Sequence, residues 1–439
     1  MATKSAPASD FGFQGSAPGC PHASMHPTAA FGASYNPFDP TFLADPHAFF
    51  SRARKEAPVC FNPVFNMWVV TGYDEVMKVV EDPVLFASKN KVDPPNDIRP
   101  EVLEILATEG YSVVLQLFNS DPPEHDRLRS LIYRAFTQQS TMDLVPHVRQ
   151  IATEMVDQFA AQGQVELRSA FADPLPLRVI LDYVGVPRED QDQVRIWDDW
   201  WARLFTSAHA IEEQMEAVRQ VVAYQKYYDS LINERRLHPR DDLTSRMASS
   251  RVDGHEPLRN VEMIWQFMGL LAAGHATTTD AMTNMLLVIL EERGLWSSLC
   301  ANPQQLSNFI DEGLRYVNPV LGLPRVTTRT VELGGVTIPE GDQVLVSFCS
   351  ANRDEKMTPN PDAFDPTREN VNKHLAFGRG IHRCVGARMS HIMMAGAFEV
   401  LMERFPSLRV QPGYKAEHTM HPFLWGLSRL PVEWNVAGR

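Results

Sequence analysis

The chain has 439 residues, of which 44% are hydrophobic and 22% charged, so it has enough apolar material for the large core of a globular protein. Its formal net charge of −13 argues against nucleic acid as the main partner. Five widely spaced cysteines predict a reducing compartment without a disulfide framework. No apolar run reaches the roughly 18 residues that suggest a membrane span, so we expect a cytoplasmic protein without a membrane partner.

The N-terminal residues 1–36 mix Gly, Pro, Ala, Ser and His without periodicity, and we expect them to form a disordered tail. The folded part should begin near Asn36. A helix is predicted over about residues 46–56, followed by two β-rich runs at 59–62 and 67–71 that are joined by a turn. These two runs predict a small sheet early in the chain.

The segment 121–129 predicts a helix start, because it reads Asp-Pro-Pro-Glu-His-Asp-Arg-Leu-Arg. Asp121 can cap the helix, the prolines suit its first positions, and Glu124 can close a capping box. His125 and Arg129 share one helical face because they stand at i and i+4. Taken alone, the segment is typical of a helix start with solvated charges.

A helical pattern continues over about residues 145–250 and is broken at 185–187. It contains a run rich in aromatic residues, 196–205, on one predicted helix. Trp197 and Trp201 share a face of this helix. Core packing is the favoured interpretation for at least one of the two rings.

A long helix is predicted over about residues 258–291, and we expect it to be buried because apolar residues occur nearly all round it. Its middle, 273–279, reads Ala-Gly-His-Ala-Thr-Thr-Thr. A threonine can bond back to the carbonyl of residue i−4, and Gly274 weakens the helix beside it. A local distortion is therefore expected near Thr277.

The next predicted helix carries Glu312 and Arg315 at i and i+3, where an ion pair is common and usually weak on a surface. Strands with turns are predicted over 323–341, and a last strand at 430–434. The intervening residues 377–386 match the pattern F-G-x-G-x-H-x-C-x-G in every place.

This glycine-rich loop suits a flat cofactor, because glycines allow a tight turn beneath it. Cys384 stands at the start of a helix, where free N–H groups and the positive dipole end favour a thiolate. Gly386 removes a side chain where the helix would pass close under a macrocycle. The arrangement suits haem iron bound through sulfur, whereas a lone cysteine after such a turn would more often be inert.

The four motifs D-P-P-E-H-x-R-L-R, A-G-x-x-T-T, E-x-x-R and F-G-x-G-x-H-x-C-x-G together resemble those of the cytochrome P450 family, over roughly residues 37–436. The resemblance implies the cytochrome P450 fold, mainly α with a small β-rich region, as a single domain over 37–439. It also implies haem b as the cofactor, with Cys384 as the metal ligand.

The resemblance assigns residues to the haem site. Those expected to bind the cofactor are His125, Arg129, Ala273, Arg325, Phe377, Gly378, His382, Cys384 and Gly386. The two histidines and two arginines of this set match ligands of the haem propionates. Thr277 matches the hydroxyl that steadies dioxygen and its proton supply, in a groove that includes Gly274. The family usually has an acid at the position of Ala276, so this departure puts the usual proton relay in question.

The resemblance also implies an apolar and aromatic substrate pocket. Its candidate residues are Phe118, Trp201, Val320, Leu323, Phe423 and Leu424. A further set, Glu312, Arg315 and Arg368, corresponds to a buried ion network that is structural in the family.

The implied reaction is the insertion of one oxygen atom from O2 into a small apolar organic substrate. No flavin or iron–sulfur domain is expected after the last strand, so electrons should come from a separate ferredoxin-type donor with its reductase. A monomer is expected. Ala276 leaves two other enzymes open, a P450-type nitric oxide reductase and a peroxide-driven oxidase. A haem sensor or carrier without turnover is the non-catalytic alternative, although Thr277 and an aromatic pocket would not serve it.

Overall fold

The computed structural model describes residues 26–88, 98–206, 210–292 and 294–436. The α-helices in these ranges are α1 (Ala29–Gly32), α2 (Pro40–Ala44), α3 (Pro46–Glu56), α4 (Tyr73–Glu81), α5 (Pro100–Thr108), α6 (Glu124–Ala135), α7 (Gln138–Met142), α8 (Leu144–Asp157), α9 (Pro174–Val184), α10 (Gln191–Thr206), α11 (Ile211–Leu237), α12 (Leu243–Ser249), α13 (Asn260–Glu291), α14 (Leu295–Ala301), α15 (Leu306–Tyr316), α16 (Phe348–Ala351) and α17 (Ala387–Arg404). The strands are β1 (Val59–Asn62), β2 (Met67–Val70), β3 (Phe86–Ala87), β4 (Gln164–Glu166), β5 (Leu323–Thr327), β6 (Val331–Leu333), β7 (Val336–Ile338), β8 (Gln343–Val346), β9 (Arg409–Val410) and β10 (Pro431–Glu433).

The strands form small sheets in a mainly helical protein, so the predicted fold class is confirmed. The largest sheet has the order β1-β2-β8-β5-β3, in which β2 and β8 are parallel and the other neighbours antiparallel. A three-stranded sheet has the order β4-β10-β9, and β6 pairs with β7. Because β5 lies between two other strands, its side chains are held in fixed positions.

Helix α13 runs through the core, as its apolar residues predict. Its first turn is fixed by Glu262, whose Oε2 accepts a hydrogen bond from Arg259 N at 2.7 Å. The helix packs against α9, α11 and α17. It continues without a break through Gly274, where a Cβ atom would lie 2.6 Å from Ile180 Cδ1. The glycine thus serves the close packing of α9, and the expected distortion does not interrupt the helix.

The start of α6 differs from the predicted capping box. The helix begins at Glu124, and neither the Asp121 nor the Glu124 side chain caps it. Asp121 Oδ1 instead accepts a hydrogen bond from Ser88 N at 2.7 Å. Glu124 turns toward Arg127, whose Nη2 lies 2.8 Å from its Oε1. A tertiary contact with Ser88 has therefore taken the Asp121 carboxylate, and a local i,i+3 pair with Arg127 has taken that of Glu124.

The N-terminal part of the fold begins earlier than predicted. Residues 26–36 were expected to be disordered, yet they contain α1 and the buried Tyr35. Asn62 Nδ2 donates to Gly32 O at 2.9 Å and to Tyr35 O at 2.8 Å, which ties the segment to β1. The rest of the predicted tail, residues 1–25, lies outside the described residues. No helix within the described ranges is long and apolar enough to cross a membrane.

Candidate active site

The glycine-rich loop before α17 is shaped by left-handed glycines. Gly378 has a φ of 64° and Gly380 a φ of 70°, which other residues rarely adopt. A Cβ atom on Gly380 would lie 2.3 Å from Val80 O, so this position also needs a glycine for space. Cys384 N donates to Phe377 O at 2.8 Å and closes the loop. The loop therefore presents Cys384 just before the first turn of α17.

The thiol of Cys384 responds to two opposing influences. Burial raises its pKa, while hydrogen bonds from the backbone of Gly386 and Ala387 and the charges of Arg129 and Arg383 lower it. The hydrogen bonds of the helix start act in the predicted direction, and the charges of Arg129 and Arg383 add to their effect. The net pKa is nevertheless raised, because desolvation of the thiolate is the largest contribution. The sequence pattern reveals the helix start that lowers the pKa of this thiol, and not the burial that raises it.

Cys384, Ala273 and Leu323 indicate an internal space. All three residues are exposed, although Ala273 lies in the buried helix α13 and Leu323 on the inner strand β5. Burial is nevertheless the largest influence on the pKa of the Cys384 thiol, which indicates that protein surrounds it on most sides. Because an accessible atom in such surroundings faces an enclosed space, we infer a cavity between the cysteine loop, the middle of α13 and β5.

Two of the predicted propionate ligands meet. The rings of His125 and His382 are 4.5 Å apart between centroids. His125 is 1% exposed, and its Nδ1 lies 3.0 Å from Asp126 Oδ1. Its Nε2 has no hydrogen-bond partner in the described part of the chain, whereas His382 Nε2 lies 2.9 Å from Ser88 Oγ. The buried Nε2 of His125 is therefore available to donate a hydrogen bond to an acceptor from outside the described chain.

The two predicted arginines occupy different positions. Arg325 on β5 is 5% exposed, and its Nη1 donates to Pro324 O at 2.8 Å. It has no ion pair within 4.0 Å among the described residues, and burial lowers the pKa of its guanidinium to about 10, against a smaller rise from the charge of Asp121. Arg129 is half-buried, and its Nη1 donates to Arg383 O at 2.7 Å, beside the cysteine.

The middle of α13 carries the predicted oxygen-activation residues. Thr277 Oγ1 donates to Ala273 O at 2.7 Å, which is the expected back-bond to residue i−4. Ala276 has no ionisable group. His275 Nε2 lies 3.3 Å from Asp173 Oδ1, so this ring is directed toward the start of α9. The nearest acid after Thr277 on the helix, Asp280, is paired with Arg168 Nη1 at 2.7 Å.

The six predicted pocket residues lie on several segments. Val320 and Leu424 form an antiparallel bridge, next to Leu323 at the start of β5 and Phe423 in the final turn. Phe118 lies in the 3₁₀-helix Leu117–Asn119, which is tied to α13 through Leu117 N and Gln266 Oε1 at 3.0 Å. Trp201 is half-buried on α10, which also packs against α13. The structure thus joins the C-terminal candidates directly and places the other two on neighbours of α13.

The three residues of the predicted ion network are in contact. Arg315 Nε donates to Glu312 Oε2 at 2.7 Å, and Arg368 Nε donates to Glu312 Oε1 at 3.1 Å. Glu312 is fully buried and Arg315 is 1% exposed. Both arginines also donate to main-chain carbonyl oxygens, including Ala363 O. Each member of the network therefore has an ionic partner within the chain, and Glu312 is shared by both arginines.

One candidate residue in the final turn was missed by sequence reasoning. His421 stands two residues before Phe423, and its Nδ1 accepts hydrogen bonds from two backbone N–H groups of the turn. Its neighbours Phe423 and Leu424 had been predicted to line the pocket. No spacing rule would have selected this histidine, because its role depends on how the turn folds back on the ring.

These residues fit the haem that the motifs imply. A thiol at a helix start faces the cavity, and a Cβ atom at Gly386 would meet only Cys384 Sγ, at 3.9 Å, within the described structure. Packing against protein therefore does not explain this glycine, whereas a ring over the sulfur would. The partnerless His125 Nε2 and the buried, unpaired Arg325 suit the two carboxylates of a haem.

Known proteins share this fold and sequence. A family model described as "Cytochrome P450" matches residues 300–436. Cytochrome P450 107B1 of Saccharopolyspora erythraea is 35% identical over 402 residues, which cover 90% of this chain and 96% of the relative. Mycinamicin IV hydroxylase/epoxidase of Micromonospora griseorubida is 36% identical over 371 residues, covering 84% of this chain and 89% of the relative.

Solved structures agree with these matches. Cytochrome P450 CREJ, in complex with (4-ethylphenyl) dihydrogen phosphate, has a TM-score of 0.84 and 30% identity, covering 92% of this chain and 100% of that one. CYP109E1 of Bacillus megaterium, in complex with testosterone, has a TM-score of 0.79 and 28% identity, covering 89% and 100%. Because relatives of this similarity match nearly the whole chain, the protein belongs to the cytochrome P450 family of monooxygenases, whose cofactor is a haem bound through a cysteine thiolate.

Proposed function

We propose that the protein is a haem b monooxygenase that inserts one oxygen atom from O2 into an apolar organic substrate, with Cys384 as the iron ligand. The observation that carries the proposal is the position of this thiol, accessible yet surrounded by protein on most sides, with backbone hydrogen bonds from Gly386 and Ala387. Haem bound through a thiolate supplies the oxidative chemistry, because the thiolate favours cleavage of the O–O bond.

The basic residues around the cavity would hold the cofactor's carboxylates. Arg325 lacks an ion pair in the described structure, so a propionate would offset the cost of burying its charge. His125 would donate through Nε2 in the same region as His382, because the two rings are in contact. Arg129 would act from the side of the cysteine loop, where its charge also favours the thiolate. Phe377 and Gly378, which belong to the cysteine loop, would also help to hold the haem.

The middle of α13 would bind and orient water and substrate on the side of the cavity opposite Cys384. The small residues Ala273 and Gly274 leave room beside the helix. The Thr277 hydroxyl donates its hydrogen bond to Ala273 O, so the lone pairs of Oγ1 can accept a hydrogen bond from water or substrate. Since Ala276 brings no acid, protons would have to arrive through water, through Thr277, or from polar groups of the substrate.

Substrate and electrons would approach from different sides. The pocket residues Phe118, Trp201, Val320, Leu323, Phe423 and Leu424 are apolar or aromatic, and testosterone in CYP109E1 is a mainly apolar ligand of a similar protein. A basic face, which we define as Arg129, Arg379, Arg383 and Arg388, would surround the cysteine side, where Arg129 and Arg383 act on the thiol. We propose that this face binds a ferredoxin-type donor with its reductase, and that the protein acts as a cytoplasmic monomer with one domain over 37–439.

The absorption spectrum of the reduced carbon monoxide complex tests the proposal. Wild-type protein should show the band characteristic of thiolate-bound haem, and Cys384→His should move it to the position of His-ligated haem proteins. Cys300→Ser is the matched control, since Cys300 is half-buried near α17 and should leave the band in place. An unmoved band in Cys384→His would contradict the assignment of Cys384.

A second candidate reaction is favoured by Ala276. The central helix of P450-type nitric oxide reductases resembles A-G-x-A-T, and those enzymes take electrons directly from NAD(P)H. A peroxide-driven oxidase would likewise need no oxygen-activating acid. Anaerobic mixing of reduced protein with NADH and nitric oxide, compared with O2 and a ferredoxin system, separates these reactions. Turnover with O2 and ferredoxin is the result expected from the proposed monooxygenase.

A further inference from the structure

The final turn, residues 418–427, is held between two other parts of the fold. Trp425 N donates to Pro319 O at 2.7 Å, in the segment that leads into β5. On the other side, Asn284 Nδ2 of α13 donates to Trp425 O at 2.8 Å. A Cβ atom on Gly426 would lie 2.0 Å from Asp280 Oδ1, so the turn also packs closely on α13. Side chains on this turn are therefore fixed in advance of any ligand.

His421 shapes the turn through one ring nitrogen. Its Nδ1 accepts a hydrogen bond from Phe423 N at 3.1 Å and another from Leu424 N at 3.0 Å. A ring nitrogen that accepts hydrogen bonds from N–H groups carries no proton itself. The proton of the neutral His421 ring is therefore on Nε2. Burial lowers the pKa of His421 to about 4, which keeps the ring neutral near pH 7. Nε2–H is thus a constant hydrogen-bond donor.

This donor faces an internal space. The side chain of His421 is only half-buried, yet burial lowers its pKa, so we infer that its accessible part faces an internal space and not open solvent. Its Nε2 has no hydrogen-bond partner among the residues that the structure describes. The ring contacts Phe423 edge-on, with 6.2 Å between centroids, and Leu424 pairs with Val320. A polar donor therefore stands among predicted pocket residues that are otherwise apolar.

We propose that His421 is a specificity residue whose Nε2–H binds a neutral oxygen acceptor, such as a ketone or an ether, on the substrate. The inference rests on the proposed function, because it concerns the pocket of that same monooxygenase. A substrate with an apolar body and one such oxygen would satisfy both the donor and its neighbours Val320, Phe423 and Leu424. A hydrocarbon of equal size would leave the donor without an acceptor, which disfavours its binding.

Two variants separate the donor from the shape of the turn. In His421→Asn, Oδ1 can replace Nδ1 as the acceptor of the turn, as asparagine does in Asx turns. The shorter amide does not reach the position of Nε2, so the donor is withdrawn. Phe423→Leu is the matched control, because it changes the apolar surface of the same turn and leaves His421 in place.

The probes are two pairs of ligands, cyclododecanone with cyclododecane and adamantanone with adamantane. Dissociation constants are measured from the spin-state shift of the haem-loaded protein. We expect wild type to bind each ketone about threefold to tenfold more tightly than its hydrocarbon. His421→Asn should abolish this preference, and Phe423→Leu should weaken both members of a pair equally. A ketone preference that is absent in wild type, or unchanged in His421→Asn, would overturn the proposal.

A second readout needs no activity. Heteronuclear NMR of isotope-labelled histidine, on the diamagnetic reduced carbon monoxide complex, should show His421 as the Nε2–H tautomer and should shift Nε2 when cyclododecanone is added. An Nδ1–H tautomer would overturn the proposal. Failure of this inference can be distinguished from failure of the proposed function. A thiolate band without ketone preference would contradict the role of His421 alone. Absence of that band in wild type contradicts the proposed function.

Discussion

Two buried arginines, Arg315 and Arg325, are ten positions apart in the chain and have opposite surroundings. Arg315 donates to both carboxylate oxygens of Glu312 and to the carbonyl oxygens of three other residues. Arg325 donates only to the carbonyl oxygen of Pro324 among the described residues, and burial lowers its pKa to about 10. Arg315 therefore has its carboxylate partner within the chain, whereas Arg325 has none among the described residues.

The difference separates groups that serve the fold from groups that wait for a ligand. A buried charge without a partner destabilises a protein, so its presence needs a compensating contact. For Arg315 that contact is Glu312, which also accepts from Arg368. For Arg325 it must come from outside the described chain, and a haem propionate has the required charge. Substitutions from the core to the surface test this distinction.

The largest effect is expected from Glu312→Ala. The change leaves the charges of Arg315 and Arg368 buried without their carboxylate, and breaking a buried pair in this way typically costs about 3–5 kcal/mol. The free energy of unfolding should fall by this amount, with or without haem, as measured by urea denaturation. Glu56→Ala, in the exposed pair with Arg52, is the control and should change little. Equal losses in the two variants would contradict a self-contained network.

Arg325→Leu should give the opposite pattern. Haem-free protein should be as stable as wild type or more so, because an unpaired buried charge is replaced by an apolar side chain. Haem should be lost faster by about tenfold or more, since truncating one member of a buried charge pair costs about 2–5 kcal/mol. Urea denaturation of the haem-free protein and transfer of haem to apomyoglobin measure the two quantities. If the variant retains haem as wild type does, Arg325 has no role in binding it.

How far the sequence predicts these features depends on whether the interaction is local. Helix α3 was predicted with its observed ends, because Pro46 and the helical composition lie within the segment itself. The segment 26–36 was predicted wrongly, because its order depends on Asn62, which is distant in the chain. The cap at Asp121 failed for the same reason, since Ser88 occupies its carboxylate. Contacts between distant segments leave no periodic signal in the sequence.

The site shows the same limit. The spacing of the cysteine loop identified Cys384 and its glycines, and the left-handed Gly378 and Gly380 agree with that interpretation. The spacing could not show that burial outweighs the helix start in setting the pKa of the thiol. Nor could it show His421, whose tautomer is fixed by backbone groups of a folded turn. Burial and turn geometry exist only after the chain has folded.

Thr277 combines the features of the two arginines. Its hydroxyl donates a hydrogen bond within the chain, as Arg315 does, while its oxygen can still accept one from a ligand or water. Thr277→Ala should leave the fold intact and reduce the coupling of NAD(P)H use to product about tenfold, with release of peroxide. This is less than the typical acid–base contribution of about 10²–10⁴-fold, because water can also deliver protons. Thr279→Ala on the same helix is the control, since its hydroxyl donates to Ala172 O and should not affect coupling.

The measurements for Thr277 are product formed and peroxide released per NAD(P)H consumed, with the native substrate. Ala276→Glu should change the coupling or the rate of oxygen consumption, because it restores an acid to the groove. Full coupling in Thr277→Ala would remove the proposed role of this hydroxyl. The nitric oxide and peroxide reactions would then be the better interpretations.

The smallest effect is expected at the surface, at the basic face that we propose as the binding site of the electron donor. Arg379, Arg383 and Arg388 are exposed, and Arg379 Nε lies 3.4 Å from Glu81 Oε1. Arg383→Glu places a like charge opposite an acidic ferredoxin, so reduction of the haem should slow severalfold at low salt. The difference from wild type should shrink as ionic strength rises, because exposed charges are screened within about 10 Å at 0.1 M salt.

Stopped-flow reduction at several salt concentrations measures this effect, and the carbon monoxide spectrum verifies that haem remains bound. Arg219→Glu is the charge-matched control, because Arg219 is exposed on α11, which packs against α10, α12 and α13. Both variants change the net charge equally, so only a local docking face distinguishes them. If Arg383→Glu slows reduction no more than Arg219→Glu, or if its effect does not depend on salt, the ferredoxin binds elsewhere. The basic charges beside Cys384 would then serve the thiolate alone, as Arg129 does through its contact with the cysteine loop.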